Sequence, residues 1–287
     1  MRTLKKPSLL YVPGSSEKML GKVADITSGG VVLDLEDAVA PLQKEFARKQ
    51  VTEFLSAGKQ ENTWTAVRVN LINSAWGVED LQAIAPLEPD LIIIPKAREA
   101  DILTVHILIE GLEEKLGKKL NSALAPLVET AYSVEHITSI LASSDRIQAA
   151  QFGAEDFTKD MGIGRTKGGA EVAYARQRLA VACRAAGVIA MDSPFTDFED
   201  EIGHAEDCIN AREMGYEAKT CIHPKQIETI HKTFLPSEAQ IAEAKEIVET
   251  FEKAQRGGLG AVSLHGKMLD LPVVERARQI IAKGTHI

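Results

Sequence analysis

The chain has 287 residues, of which 45% are hydrophobic and 26% are charged, the composition of an ordinary globular protein. No apolar run reaches the roughly 18 residues of a membrane-spanning helix, and residues 1–7 lead directly into a strand-like run, so we expect neither a membrane span nor a signal peptide. The net charge of −8 excludes a general basic surface for nucleic acid.

Short apolar runs alternate with amphipathic helical stretches along most of the chain. Several runs are almost continuous in branched aliphatic residues, as in Val31–Leu33 and Leu91–Ile94, which is typical of strands covered on both faces. The predicted strands are Ser8–Val12, Gly30–Leu35, Thr65–Val69, Leu91–Ile94, Ala123–Val128, Ile147–Phe152, Val188–Met191 and Ala218–Ile222. The predicted helices are Ser16–Thr27, Leu42–Ser56, Val78–Ala85, Asp101–Leu116, Ser133–Ala142, Ala170–Ala186, His204–Met214 and Pro224–Thr233.

Eight strands, each followed by a helix at about 25 to 35 residues per unit, predict an α/β fold, the (β/α)8 TIM barrel. The alternative is a doubly wound open sheet, which normally carries a glycine-rich phosphate turn after its first strand. The first turn here, Val12-Pro-Gly-Ser-Ser, lacks that fingerprint, so the barrel is favoured. We interpret the later glycine-rich segment Gly162–Gly169 as either a mobile active-site loop or a plain connection.

The pattern changes after Thr233. The tail is predicted to hold, in order, a long helix, a glycine break, a short strand, a turn and a last helix: Pro236–Arg256, Gly257–Gly260, Ala261–Leu264, His265–Gly266 and Val273–Ala282. Because the eight barrel strands are already complete, we interpret residues 1–235 as a TIM-barrel catalytic domain and residues 236–287 as a C-terminal helical arm and lid.

Polar side chains follow the predicted strands at the ends where a barrel of this type carries its active site. They are Glu36 and Asp37, Arg68 and Asn70, Lys96, Glu129, Glu155 and Asp156, Asp192 and Ser193, and His223. Glu129 and Asp156 follow neighbouring strands, so we expect them to lie close enough to share Mg²⁺, a cation usually held by one or two carboxylates, waters and substrate oxygens. In the alternative interpretation, Glu129 caps the next helix and Asp156 lies in an ordinary loop.

Two basic residues are interpreted from their surroundings. Arg68 lies in the apolar run Ala66-Val-Arg-Val, where a charge needs a partner, so we expect it to face the mouth of the barrel. Lys96, after Ile94-Pro, is either a Schiff-base lysine or a partner of acidic neighbours.

The three cysteines, Cys183, Cys208 and Cys221, are odd in number and lack the spacing of a metal site. Free thiols in a reducing compartment are the simplest explanation, so we expect a cytoplasmic protein.

Several short motifs stand in a fixed order along nearly the whole chain. They are Leu9-Leu-Tyr-Val-Pro-Gly14, Asp34-Leu-Glu-Asp-Ala-Val39 with Lys44 and Ala47-Arg48, Arg68-Val-Asn70, Pro95-Lys96, Val128-Glu-Thr130, Gly153-Ala-Glu-Asp156, Ile222-His-Pro224 and Gly266-Lys-Met-Leu-Asp270. The set resembles the citrate lyase β-subunit-like family of acyl-CoA lyases, within the HpcH/HpaI aldolase group. The resemblance implies a Mg²⁺-dependent (β/α)8 barrel that cleaves a 3-hydroxyacyl-CoA, of the citramalyl-CoA or malyl-CoA type, into a 2-keto acid (pyruvate or glyoxylate) and acetyl-CoA.

The resemblance also implies roles for individual residues, motif by motif. It makes Glu129 and Asp156 the metal ligands, and Arg68 the substrate-binding arginine. The further catalytic residues that it implies are the acidic pair Glu36 and Asp37, and Asp270, an acid/base in the lid. The further residues that it implies for binding substrate or CoA are Lys44, Arg48, Lys96, Gly153, Ala154 and Glu155.

An acyl-CoA thioester and a small 2-keto acid are the ligands that the resemblance implies. It also implies a homo-oligomer, a trimer or a hexamer, in which Asp270 reaches the site of a neighbouring subunit; alternatively, Asp270 caps the terminal helix. The chain departs from the family at Pro7-Ser8, where a basic residue commonly precedes the serine. Two other functions stay open: a citrate lyase β subunit that cleaves a citryl thioester to oxaloacetate and an acetyl thioester, and a non-catalytic CoA-binding barrel.

Overall fold

The computed structural model describes residues 4–58, 63–258 and 260–284. Residues 1–3, and Leu259 of the predicted glycine break, lie outside the described residues. The chain divides into two compact units, Met1–Ile230 and His231–Ile287. The division falls within a helix, Gln226–Phe234, slightly before the boundary that the sequence predicts at residue 235.

The first unit is a closed barrel of eight parallel strands in sequential order. The strands are β1 (Ser8–Pro13), β2 (Gly30–Asp34), β3 (Trp64–Arg68), β4 (Leu91–Ile94), β5 (Ala123–Val128), β6 (Ala149–Phe152), β7 (Ile189–Asp192) and β8 (Ala218–Cys221). The last strand pairs with the first, with Ser8 beside Lys219, and this pairing closes the barrel. The predicted (β/α)8 TIM barrel is therefore confirmed.

Apolar side chains at alternate strand positions fill the inside of the barrel. Leu91 and Ile93 of β4, and Ala123, Ala125 and Leu127 of β5, belong to this buried cluster. The residues between them are buried as well, because helices cover the outer face. Strands buried on both faces explain why the sequence shows continuous apolar runs instead of an alternating pattern.

Helices follow the strands around the barrel. They are α1 (Glu17–Leu20), α2 (Lys44–Ser56), α3 (Gly77–Ile84), α4 (Glu99–Leu116), α5 (Ala131–Glu135), α6 (Ile137–Ala142), α7 (Ala154–Asp160), α8 (Ala173–Ala186), α9 (Glu201–Met214) and α10 (Gln226–Phe234). Short 3-10 turns lie at Val23–Asp25, Pro41–Gln43, Ala85–Leu87 and Ala170–Val172. Helix α8 ends where the sequence predicts, because Gly187 adopts the left-handed conformation (φ 71°) that terminates helices without strain.

The structure differs most from the predicted elements of the barrel at two segments. The helix predicted at Ser16–Thr27 is only one turn long, and a 3-10 turn replaces its second half. Helix α7 was not predicted, and it places Glu155 and Asp156 in its first turn instead of in a loop. With seven residues, α7 is too short to show helical periodicity, and its charged residues directly after β6 are also typical of a loop at a strand end.

The second unit packs two helices around a small hairpin. Its elements are α11 (Glu238–Arg256), β9 (Val262–Leu264), β10 (Lys267–Leu269) and α12 (Leu271–Gly284). His265 and Gly266 both have positive φ, 49° and 77°, as a two-residue hairpin turn with the right-handed strand twist requires. Phe251, Leu269 and Val274 form the buried centre of this unit.

The described residues contain neither a membrane-spanning helix nor a disulfide. No helix in these residues combines the length and the apolarity needed to cross a membrane. The three cysteines are buried free thiols, and burial raises the pKa of Cys183 and of Cys208 to about 12, which keeps both protonated.

Candidate active site

A cavity of about 450 Å³ opens at the carboxyl-terminal ends of the barrel strands. The described residues that line it are Tyr11, Pro13, Met19, Asp34, Asp37, Ala38, Arg68, Leu127, Glu129, Gln151, Gly153, Ala154, Glu155, Asp156, Ser193, Pro194 and Ile222. These residues come from seven of the eight strands or the segments that follow them. This is the face on which barrels of this type carry their active sites.

Two carboxylates lie on neighbouring sides of this cavity. Glu129 directly follows β5 and is only 2% exposed, whereas Asp156 lies in the first turn of α7. Burial raises the pKa of Glu129 to about 8; nearby Lys96 opposes this rise and Asp156 adds to it. A buried carboxylate of this kind is costly unless a cation compensates its charge.

The approach of Glu129 to strand β6 depends on Gly153. A Cβ atom at position 153 would lie 2.6 Å from Glu129 Oε2 and 2.7 Å from Glu129 Cβ, closer than real Cβ atoms come. Only glycine leaves room for the carboxylate there.

The donor set fits Mg²⁺. Among residues 4–58, 63–258 and 260–284 there is no group of three or more His, Cys, Asp or Glu side chains arranged to hold a metal ion. Two carboxylates facing an open cavity suit a hard cation that takes its remaining ligands from water and substrate. Acidic groups also outnumber cations at this end of the barrel, where Arg68 and Lys96 pair with five carboxyl groups: Asp34, Glu36, Asp37, Glu129 and Asp156.

Arg68 ends strand β3 and is fixed by its neighbour strand. The register pairs Asp34 of β2 directly with Arg68, and the Asp34 carboxylate accepts from Arg68 Nε at 2.7 Å and from Nη2 at 2.5 Å. The third donor, Nη1, lies 3.0 Å from Glu36, and the guanidinium stacks 5.1 Å from the ring of Tyr11. The partner that the sequence demands for this charge is therefore Asp34.

The adjacent acids Glu36 and Asp37 differ in environment. Glu36 is buried against Arg68 and Lys96, whereas Asp37 is 58% exposed and lines the cavity. Burial raises the pKa of Glu36, although Arg68 opposes the rise. For Asp37 burial acts in the same direction, but its hydrogen bond with Glu36 and the charge of Arg68 outweigh it and lower its pKa. Of the two acids, Glu36 therefore binds a proton more readily and Asp37 ionises more readily.

Lys96 pairs with carboxylates. Its ammonium lies 3.1 Å from Glu36, 3.7 Å from Asp156 and 3.9 Å from Glu129. Burial opposes protonation, but the charges of Glu129 and Glu36 outweigh it and raise the pKa of Lys96. A Schiff-base lysine needs a lowered pKa, so the geometry supports pairing.

Lys44 and Arg48 are held away from the cavity. Lys44 is buried, and its ammonium donates to the carbonyl oxygens of Leu35 and Glu36 at 2.7 Å each. Arg48 forms ion pairs with Glu79 and Asp80, also at 2.7 Å. Neither side chain is among the described residues that line the cavity; both hold the segment between β2 and α3 in place.

The other polar residues at the strand ends have separate tasks. Glu155 lies on the cavity rim, 3.0 Å from Arg165. Asp192 forms a buried ion-pair network with Arg176 and Lys219 beneath Ser193. His223 stacks on Phe198 at 4.8 Å, and it is not among the described residues that line the cavity.

Asp270 lies in the second unit, immediately before α12, and is exposed. Its carboxylate accepts a hydrogen bond from the backbone N–H of Val273 at 3.3 Å. This is the contact of a residue that caps a helix amino terminus.

Three polar residues that line the cavity were not predicted as site residues: Asp34, Tyr11 and Gln151. The Tyr11 hydroxyl donates to Gln151 Oε1 at 3.0 Å, and burial, the main cause, raises the pKa of Tyr11. A signal exists for each residue, because a polar side chain interrupts or ends an otherwise apolar strand run.

Comparisons with known proteins show similarity along almost the whole chain. A family model described as HpcH/HpaI aldolase/citrate lyase matches residues 7–224. Citrate lyase subunit beta of Escherichia coli (strain K12) is 32% identical over 285 residues, which cover 99% of this chain and 94% of that protein. L-malyl-CoA/beta-methylmalyl-CoA lyase of Rhodobacter capsulatus is also 32% identical, over 96% of this chain and 93% of its own.

Solved structures are similar over the same extent. The CitE protein of Mycobacterium tuberculosis, in complex with magnesium, acetoacetate and coenzyme A, superposes with a TM-score of 0.79. It is 27% identical, and the alignment covers 98% of each chain.

Proposed function

The chain belongs to the HpcH/HpaI aldolase/citrate lyase family, and we propose that it is a Mg²⁺-dependent carbon–carbon lyase. Its substrate is a 3-hydroxyacyl-CoA of the citramalyl-CoA or malyl-CoA type, and its products are a 2-keto acid, pyruvate or glyoxylate, and acetyl-CoA. The observation that carries the proposal is the pair Glu129 and Asp156 in one cavity with the fixed guanidinium of Arg68.

Glu129 and Asp156 are the residues that would hold the metal ion. Bound there, Mg²⁺ supplies Lewis-acid stabilisation of negative charge on oxygen and a fixed point for the substrate. The surplus of carboxylates over cations at this end of the barrel supports the choice of a divalent ion.

Arg68 stabilises the negative charge that develops on the substrate. When the carbon–carbon bond breaks, the hydroxyl-bearing carbon becomes the carbonyl carbon of the keto acid and the thioester fragment leaves as an enolate, so charge shifts between oxygens. Asp34 holds the guanidinium plane by two hydrogen bonds, and one oriented donor of this kind contributes roughly 3 to 4 kcal/mol to the transition state.

Two protons have to move in this reaction. The hydroxyl proton passes to the Glu36–Asp37 pair, whose ionised member Asp37 lines the cavity. The enolate carbon then takes a proton from an acid within hydrogen-bond reach. Asp270 is our candidate for that acid.

The exposed position of Asp270 supports a proposal about assembly. It is exposed in a unit separate from the barrel, so we propose a homotrimer or hexamer in which Asp270 completes the site of a neighbouring subunit. We further propose a cytoplasmic protein, which the buried free thiols support.

The equal similarity of the chain to two kinds of lyase favours a second candidate function. The chain is as similar to a citrate lyase subunit beta as to a malyl-CoA lyase, 32% in both cases. A subunit of that kind would cleave a citryl thioester to oxaloacetate and an acetyl thioester.

A cleavage assay on a small panel of CoA esters separates these functions. Purified protein is incubated with Mg²⁺ and citramalyl-CoA, malyl-CoA or citryl-CoA, and mass spectrometry follows acetyl-CoA and the keto acid. We expect cleavage of citramalyl-CoA or malyl-CoA that stops in EDTA. Cleavage of citryl-CoA alone supports the second function, and cleavage of none, with Mg²⁺ bound, supports a non-catalytic barrel.

A further inference from the structure

Lys96 lies where three carboxylates meet. Its ammonium is within 4 Å of oxygens of Glu36, Glu129 and Asp156, at 3.1, 3.9 and 3.7 Å. These acids follow β2, β5 and β6, so one flexible side chain crosses the mouth of the barrel to reach them. Two of the three are the proposed ligands of the metal ion.

The backbone of Lys96 is fitted to the same site. Its N–H donates to Glu129 Oε1 at 2.8 Å, and its φ of 45° lies in the left-handed region that non-glycine residues rarely adopt. An uncommon backbone conformation that persists beside functional groups points to a role at that site.

A divalent cation and this ammonium are attracted to the same oxygens. Like charges a few ångströms apart in a partly buried site repel each other strongly, because little water screens them. Arg68 cannot move away from a bound cation, since three of its donors are engaged. Lys96 can move away, because its ammonium ends a flexible four-carbon stem and its side chain is 29% exposed.

We infer that Lys96 is a built-in counter-ion that competes with the divalent cation for Glu129 and Asp156 and swings away as the cation binds. The inference rests on the proposed function, and it makes Lys96 a positioning residue. Lys96 thereby keeps the carboxylates from repelling one another and limits the affinity of the site for metal. Once displaced, the ammonium remains beside the cavity as a cation for an anionic substrate, so metal binding prepares substrate binding.

Calorimetric Mg²⁺ titrations test the inference without measuring activity. The proteins are wild type, Lys96→Met, Lys96→Arg and the control Lys118→Met, which removes a lysine paired with Glu88 on the surface. All titrations are run in one buffer at the same pH. Unfolding midpoints are recorded in EDTA and in saturating Mg²⁺.

We expect Lys96→Met to bind Mg²⁺ at least about tenfold more tightly than wild type. Its unfolding midpoint falls in EDTA and rises further with Mg²⁺ than that of wild type, because a ligand that binds the folded state more tightly stabilises it more. Lys96→Arg, which keeps the charge, and Lys118→Met stay within about twofold of wild type.

Equal or weaker Mg²⁺ binding by Lys96→Met overturns the inference, because a lysine that only orients Glu129 strengthens the site. If wild type binds Mg²⁺ in that case, the proposed function stands. If neither protein binds Mg²⁺, the inference and the proposed function fail together.

Discussion

Replacing Gly153 by alanine tests the metal site by sterics alone, without changing any charge. The added Cβ would lie 2.7 Å from the Cβ of Glu129, so one of the two has to move by about 0.7 Å to reach an ordinary contact of 3.4 Å. The Glu129 Cβ is attached directly to the backbone and cannot swing aside as the end of a long side chain could. The end of β5 or of β6 therefore shifts, which moves Glu129 or Asp156 relative to the other.

This shift has a stability cost and a larger functional cost. Overpacking of this kind destabilises by about 1 to 3 kcal/mol, which leaves a protein of this size folded. A misplacement approaching 1 Å costs about 10²-fold in rate. We therefore expect Gly153→Ala to lower kcat/KM on the preferred CoA ester about 100-fold and to weaken Mg²⁺ binding at least about tenfold.

Gly111→Ala is the matched control for this variant. A Cβ at position 111, inside helix α4, has no neighbour within 4 Å, and alanine stabilises helix interiors by about 0.5 to 1 kcal/mol over glycine. Kinetics and calorimetric Mg²⁺ titrations are compared for both variants after circular dichroism has established folding. The reasoning is refuted if folded Gly153→Ala keeps the kcat/KM and the Mg²⁺ affinity of Gly111→Ala.

Three further predictions follow from the structure. Arg68→Lys lowers kcat/KM more than about tenfold, roughly 1.4 kcal/mol on the barrier, because an ammonium cannot keep the two-point contact with Asp34; a smaller loss contradicts the role of Arg68. Burial acts to raise the pKa of Glu113, but hydrogen bonds from Lys119 and Arg146 lower it to about 2. The ionised Glu113 carboxylate therefore stabilises the fold fully above about pH 4.5, and this stabilisation is lost as the pH falls toward 2. In urea unfolding, the difference in unfolding free energy between wild type and Glu113→Gln shrinks by up to about 3 kcal/mol from pH 6 to pH 2. A difference that stays constant is inconsistent with that pKa. Mixing inactive Asp270→Ala with inactive Glu129→Gln restores partial activity through hybrid sites, and no recovery despite proven subunit exchange rules out a shared site.

The sequence predicted the barrel because its strands are buried on both faces. Continuous apolar runs such as Leu91–Ile94 mark the strands, and the regular spacing of these runs predicts the barrel topology. Helix α7 was not predicted because it is short and directly follows a strand. Strand β10 was not predicted because two of its three residues, Lys267 and Met268, are exposed and show no apolar pattern.

The sequence predicted which side chains follow the strand ends, but not the contacts that these side chains make. The approach of Glu129 to Asp156 follows from neighbouring parallel strands, whereas the Asp34–Arg68 pair depends on the strand register, which the sequence does not state. Likewise, no pattern tells that Lys44 turns to backbone carbonyl oxygens instead of the cavity. These details are decided by side-chain direction within a few ångströms.

The most direct test of the account measures product formation against Mg²⁺ concentration for wild type, Glu129→Gln and Asp156→Asn. The account predicts saturable Mg²⁺-dependent release of acetyl-CoA by wild type. Both variants should stay folded and release no product above background at any Mg²⁺ concentration, because each lacks one of the two charged ligands. Turnover by wild type in EDTA, or near-normal turnover by both variants, would contradict a metal-dependent lyase built on Glu129 and Asp156.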